Sequence, residues 1–163
     1  MSKIVLERRL KFIFLLPVVT VCVLLVLLSI LAPILEKQQL PISQNLYALL
    51  HNICHQLPTR CYWILDRPFG LCARCFGLYL SILITGSLFI FQKVKIMKFR
   101  FGLYLIAPII IEPLFEYLDV WKSNNCIRFA TGVSAGIGCI FIYLLIMNKI
   151  SLMFKRFVKT KHQ

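Results

Sequence analysis

The chain has 163 residues, 60% of them apolar, with a mean hydropathy of +0.82 and a formal charge of +13. So large an apolar share excludes an ordinary water-soluble domain and calls for a nonaqueous solvent. A charge this positive suggests nucleic acid in a soluble protein, but here the basic residues flank apolar runs, which excludes a nucleic-acid partner and points to a membrane.

Roughly twenty apolar residues cross a bilayer, and four stretches reach that length: Phe12 to Leu35, Leu71 to Phe91, Phe101 to Trp121 and Ile127 to Met147. The first is preceded by Arg8, Arg9 and Lys11, as in a signal peptide, but it is too long for one and lacks a small-residue cleavage site before Glu36. It reads as a retained span. The expected fold is an all-α membrane protein of four transmembrane helices in a single domain over residues 1–163, with a short amphipathic helix in the first outer loop, residues 36–75.

Lys3, Arg8, Arg9 and Lys11 precede the first span, Lys93, Lys95, Lys98 and Arg100 lie between the second and third, and Lys149, Lys155, Arg156, Lys159 and Lys161 belong to a basic tail, residues 148–163. The positive-inside rule places these segments, and both termini, on the cytoplasmic side of a multi-pass cell-membrane protein. Anionic lipid headgroups are their expected partners; a second copy of the chain or another membrane protein is left open.

The same topology puts the cysteine-rich stretch on the outer face, in an oxidising compartment. After Pro41 the sequence SQNLYALLHNICHQ predicts an amphipathic helix capped by Ser43 and ended by Pro58, with His51 and His55 four apart on one face and Cys54 beside them. Tyr62, Trp63 and Phe69 are expected to lie in the interface as an aromatic belt, and Gly70 to turn the chain into LCARCFGLYL. Cys72 and Cys75, three apart on the first turn of the second span beside Arg74, sit where a helix N-terminus favours thiolate. Cys22 and Cys139, inside spans, read as small core residues.

Three chemistries stay open. Cys54, His55, Cys72 and Cys75, with His51 as the alternative imidazole, make a ligand set for zinc or another transition metal. Cys72 and Cys75 also suit a redox disulfide that exchanges with Cys54 and Cys61 and passes electrons to a quinone, an architectural analogy to membrane thiol oxidases. The third reading is an interaction protein tied by disulfides. In the third span Glu112, Glu116 and Asp119 fall on one helix face, at a depth where acids are costly and call for partners or a function. Arg60, Arg74 and Arg128 are the outer-side cations available to them. Pro108 and Pro113 are expected to kink that span, Ser123, Asn124 or Asn125 to cap the fourth, and Gly132 and Gly136 to let helices approach closely.

ICHQLPTR, LCARCFGLYL and NCIRFATGVSAG together resemble, in that order, the motifs of bacterial predicted membrane proteins grouped as domain-of-unknown-function family 2085, over about Ile53 to Gly136. The resemblance marks Cys54, His55, Gln56, Arg60, Cys72, Arg74, Cys75, Gly77, Tyr79, Arg128, Thr131 and Gly132. It marks neither His51 nor Cys61, and Glu116-Tyr117 stands where the family carries Asp-Gly. With three cysteines and one histidine in the pattern, a metal site is the simpler common denominator. The resemblance implies a fold and a set of residues, not a reaction.

Overall fold

The structure is a computed structural model that describes the backbone of residues 3–91 and 99–160 and the side chains of residues 12–91 and 99–153. Lys93, Lys95 and Lys98, the side chains of Lys3, Arg8, Arg9, Lys11, Lys155, Arg156 and Lys159, and Lys161 lie outside the described residues. The described elements are α1 (Lys3–Lys37), α2 (Ile42–His51), a 3₁₀ turn (Pro58–Arg60), strands β1 (Cys61–Ile64) and β2 (Arg67–Cys72), α3 (Ala73–Phe91), α4 (Phe99–Tyr117) and α5 (Asn125–Thr160).

Three helices are long and apolar enough to cross a membrane, over Phe12–Lys37, Ala73–Phe91 and Asn125–Met153. Only 22% of the apolar window in each of the first two is buried inside the protein. The outward Ile13, Leu24, Leu27, Ile84 and Leu88 therefore need an apolar solvent, and the chain is a membrane protein. The fourth expected span is α4, whose 19 residues include Arg100, Glu112 and Glu116.

α3 packs between α1 and α5, and α5 packs in turn on α4. Close approach of α3 and α5 requires glycine: a Cβ on Gly132 would meet the carbonyl oxygen of Arg74, and one on Gly136 the carbonyl of Leu78, 2.5 Å away. At one end of the bundle Leu15, Phe89, Ile140, Phe141 and Leu144 form a buried core, with Phe89 edge-on to Phe141 at 5.5 Å between ring centres. At the other end Leu50, Cys54 and Leu71 are buried against Leu25, Leu28, Phe76 and Tyr79.

That second end differs from the sequence expectation in four ways. α2 stops at His51, seven residues before Pro58, so His51 and His55 do not share a helix face; Ser43 sits inside the first turn, bonding back to the Leu40 carbonyl at 2.8 Å, and caps nothing. Residues 61–72 fold as an antiparallel hairpin pairing Cys61 with Cys72 and Ile64 with Arg67 across a turn at Leu65 and Asp66. Only Trp63 of the expected aromatic belt faces outward, while Tyr62 packs edge-to-face on Phe69 and Phe129, Phe69 edge-to-face on Phe76, and Phe76 lies tilted against Phe129. Gly70 serves close packing instead of a turn, since a Cβ there would strike the Leu50 side chain and come within 3.2 Å of the Ser29 Cα. On the other side of the bundle α4 ends at Tyr117, and Asp119 lies in the following turn with φ 53°, off the face shared by Glu112 and Glu116. α5 is capped by Asn124, whose Oδ1 accepts the Ile127 N–H at 2.9 Å.

Candidate functional site

Two clusters of polar side chains occupy this end. In the first, the sulfurs of Cys54, Cys72 and Cys75 lie within 4.8 Å of one another. Cys54 comes from the loop after α2, Cys72 ends β2, and Cys75 belongs to the first turn of α3. Cys72 therefore stands just outside α3, at its N-cap position, instead of on its first turn. From there the backbone N–H groups of Arg74 and Cys75, at the start of α3, help to hold its thiol low. The Cys54 sulfur receives the Cys72 N–H at 3.2 Å.

This donor pattern sets the charge of the sulfurs. Cys54 and Cys75 flank the Cys72 sulfur, and their hydrogen bonds, aided by the two N–H groups, hold the Cys72 thiol well below its ordinary range. Cys54 is pushed up, first by its hydrogen bond to Cys72. Cys61, directly across the hairpin from Cys72, is buried but outside the triplet; burial, then the charges of Cys72 and Cys54, push its thiol up to about 12. All seven cysteines are free.

The loop that delivers Cys54 is held by Gln56. Its backbone takes a left-handed φ of 51°, and its side-chain amide donates to the carbonyls of Tyr47, at 3.0 Å, and Gly70, at 2.8 Å. One side chain thus ties the end of α2 to β2. His51 and His55 are both exposed, and neither joins the three sulfurs.

The second cluster joins α3, α4 and α5. Arg74 pairs with Glu112 and lies 4.0 Å from Glu116. Glu116 receives Arg128 at 2.7 Å and Arg60 at 3.1 Å, and the Ser123 hydroxyl at 3.4 Å. The five residues singled out in the sequence, Arg60, Arg74, Arg128, Glu112 and Glu116, thus meet in one network of three cations and two anions. Arg74 Nε, Arg128 Nε and Glu112 Oε1 are buried without a hydrogen-bond partner among the described residues.

Sequence reasoning missed the residue that joins the hairpin to this network. Asn125 accepts from Arg128 at 3.1 Å through Oδ1, donates to the Cys61 carbonyl at 3.0 Å through Nδ2, and offers its own carbonyl to the Tyr62 hydroxyl at 3.3 Å. Its capping pattern drew attention to the α5 start, but nothing local revealed a hairpin for it to hold.

A family model described as "Predicted membrane protein (DUF2085)" matches residues 54–142, more than half of the chain and all of the Cys/Arg/Glu framework between Cys54 and Arg128. The chain belongs to the DUF2085 family. It is 33% identical over 120 residues to the uncharacterized protein MJ1492 of Methanocaldococcus jannaschii, covering 71% of this chain and 76% of that one. It is 32% identical over 91 residues to an uncharacterized protein of Methanothermobacter thermautotrophicus, covering 53% and 79%. Both relatives are archaeal, whereas the motif resemblance pointed to bacterial proteins. No solved structure matches the chain.

Proposed function

We propose that this DUF2085 protein binds a divalent transition-metal ion, zinc by preference, through Cys54, Cys72 and Cys75 at the outer end of a four-span bundle. The observation that carries the reading is the meeting of three sulfurs from two separate segments within 4.8 Å of one another. A tetrahedral ion with metal–sulfur bonds of about 2.3 Å sets its sulfurs about 3.8 Å apart, inside that limit. The start of α3 favours a thiolate at Cys72, whose thiol is held below its ordinary range, and soft thiolates select zinc among the common divalent ions.

The fourth position is open to water or substrate in this reading, as in catalytic zinc sites. A closed site would need His55 to turn toward the sulfurs. Charge supports three thiolates: around a divalent ion they carry one net negative charge, and the three arginines with two glutamates carry one net positive charge.

α4 is the fourth span. Its 19 residues extend about 28 Å as a helix, and its two acids are directed at Arg74 and Arg128 instead of at lipid. With α4 counted, the basic flanks share one side, against anionic headgroups in the cytoplasmic leaflet, and the cysteines face outward.

The test is elemental analysis of full-length protein purified without chelator. Wild type should carry one ion per chain; Cys54→Ser, Cys72→Ser and Cys75→Ser should each lose it, and Cys126→Ser should keep it. Metal-free wild type with Cys72 joined to Cys75 would instead favour thiol–disulfide exchange with a quinone as acceptor.

A further inference from the structure

After the turn that ends α1, α2 comes back down beside it. Leu50, in the last turn of α2, belongs to the buried cluster packed on Leu25 and Leu28 of α1, and its side chain and the Ser29 Cα both lie against Gly70. α1 provides a ruler for that contact. Its apolar run starts at Phe12, and at about 1.5 Å per residue Ser29 stands about 26 Å further on, still inside a hydrocarbon layer about 30 Å thick. α3 gives the same depth: its 19 residues extend about 28 Å and put Ala73, close after Leu71 of that cluster, at the edge of the layer. The last turn of α2 is therefore level with the edge of the hydrocarbon.

At that depth α2 carries three stripes at helical spacing. Ser43, Tyr47 and Leu50 face the protein: Ser43 and Leu50 are buried, and the Tyr47 hydroxyl donates to the Pro68 carbonyl at 2.6 Å. Gln44, Ala48 and His51 form an exposed, mainly polar stripe. Beside the first runs a second apolar stripe, Ile42, Leu46 and Leu49, which the fold leaves uncovered, with Ile42 54% and Leu49 55% exposed. The apolar face of α2 is thus wider than the strip that the protein buries. Ile53, in the turn that follows, is exposed as well.

Depth and neighbours name what covers the stripe, because it continues the lipid-facing surface of the outward leucines of α1. Trp63 agrees. It pairs with Pro68, two residues and about 7 Å of strand from Gly70, and its one polar side-chain atom, Nε1, donates to the Pro58 carbonyl at 3.1 Å, so the exposed indole presents carbon. We infer that α2 is an interfacial helix, its Ile42, Leu46 and Leu49 stripe covered by acyl chains of the adjacent leaflet where they meet the headgroups. Helices of this kind bury an apolar face about 5–10 Å into that boundary. Lipid thereby holds in place the segment that delivers Cys54. This contact requires only the three membrane spans, and neither a metal nor the placement of α4.

The chain has only 2 tryptophans, so full-length protein carrying Trp63→Phe and Trp121→Phe is a dark background for fluorescence. Leu49→Trp on the stripe and Ala48→Trp on the polar side are added singly, and each protein is reconstituted in phosphatidylcholine vesicles. Lipid brominated on its acyl chains near the carbonyl should quench Leu49→Trp at least about twofold more than Ala48→Trp, and aqueous acrylamide should rank the two the other way. Ile42→Trp, on the same stripe, should repeat the Leu49→Trp result and stands in for it if that variant does not fold. Equal quenching of the two positions by either reagent, or the reverse ranking, would overturn the proposal. Protection of Leu49→Trp and Ile42→Trp from both reagents would overturn it as well, because a protein surface such as a second copy would then be the cover.

Discussion

Cys61 and Cys126 illustrate how environment divides chemically identical residues. Cys126 is exposed, whereas Cys61 is buried with its thiol pushed up to about 12, so a maleimide near neutral pH should label Cys126 and spare Cys61. Because the folded state raises this thiol above its ordinary 9.0, the stability it contributes is complete below about 9 and is lost as pH climbs toward about 12. Thermal unfolding across that window should fall less steeply in Cys61→Val than in wild type. Arg128 and Glu116 form the shortest of Glu116's ion pairs and are both largely buried, so Arg128→Gln should cost about 3–5 kcal/mol. Glu116→Gln together with Arg128→Gln should cost less than the two single losses added, measured by denaturant unfolding in micelles. The three sulfurs were legible because cysteine is scarce in apolar spans and spacing alone brought Cys72 to Cys75. The histidines were misplaced because their pairing assumed a helix that the chain leaves after His51. Gln56 was legible only as part of a motif, since its two carbonyl partners lie 9 and 14 residues away.

At the scale of elements, the hairpin was the feature the sequence hid. A two-residue hairpin turn with positive φ at both central positions usually advertises itself as Asn-Gly. Here Leu65 and Asp66 take φ 52° and 64°, and the irregular register between Cys61 and Trp63 spoils the period-two pattern as well. A leucine in the left-handed region costs about 1–2 kcal/mol. Leu65→Asn with Asp66→Gly should therefore stabilise the protein by about that amount, read as a higher midpoint of thermal unfolding, and an unchanged or lower midpoint would show that the tip makes contacts of its own. The helices themselves were legible from hydropathy, with α1 and α5 running beyond the expected spans because Lys3–Lys11 and Lys149–Thr160 continue the helices past their apolar lengths. The acids of α4 were legible as a face, but Asp119 fell off it because the helix stops at Tyr117, one turn sooner than the apolar run suggests.

For the whole molecule, both polar clusters and the exposed Cys126 lie at the end of the bundle formed by the α2 loop, the hairpin and the start of α5. If that end faces outward, an impermeant maleimide added to intact cells should label Cys126, and a cysteine introduced at Lys95 should stay protected; the reverse pattern would invert the topology. The expected orientation rests on the basic flanks alone, because charge bias acts during insertion and leaves no mark on the folded contacts. The arginine and glutamate network and the sulfur triplet both converge on the start of α3, where Arg74 lies between Cys72 and Cys75 in the chain and reaches Glu112 across to α4. The central claim is that the triplet is a metal site with three sulfur ligands and one open position. X-ray absorption at the zinc edge of full-length protein tests it most directly: the account predicts stoichiometric zinc with three sulfurs at about 2.3 Å and one oxygen or nitrogen at about 2.0 Å. Absence of stoichiometric metal, or a shell with two sulfurs or fewer, would contradict it.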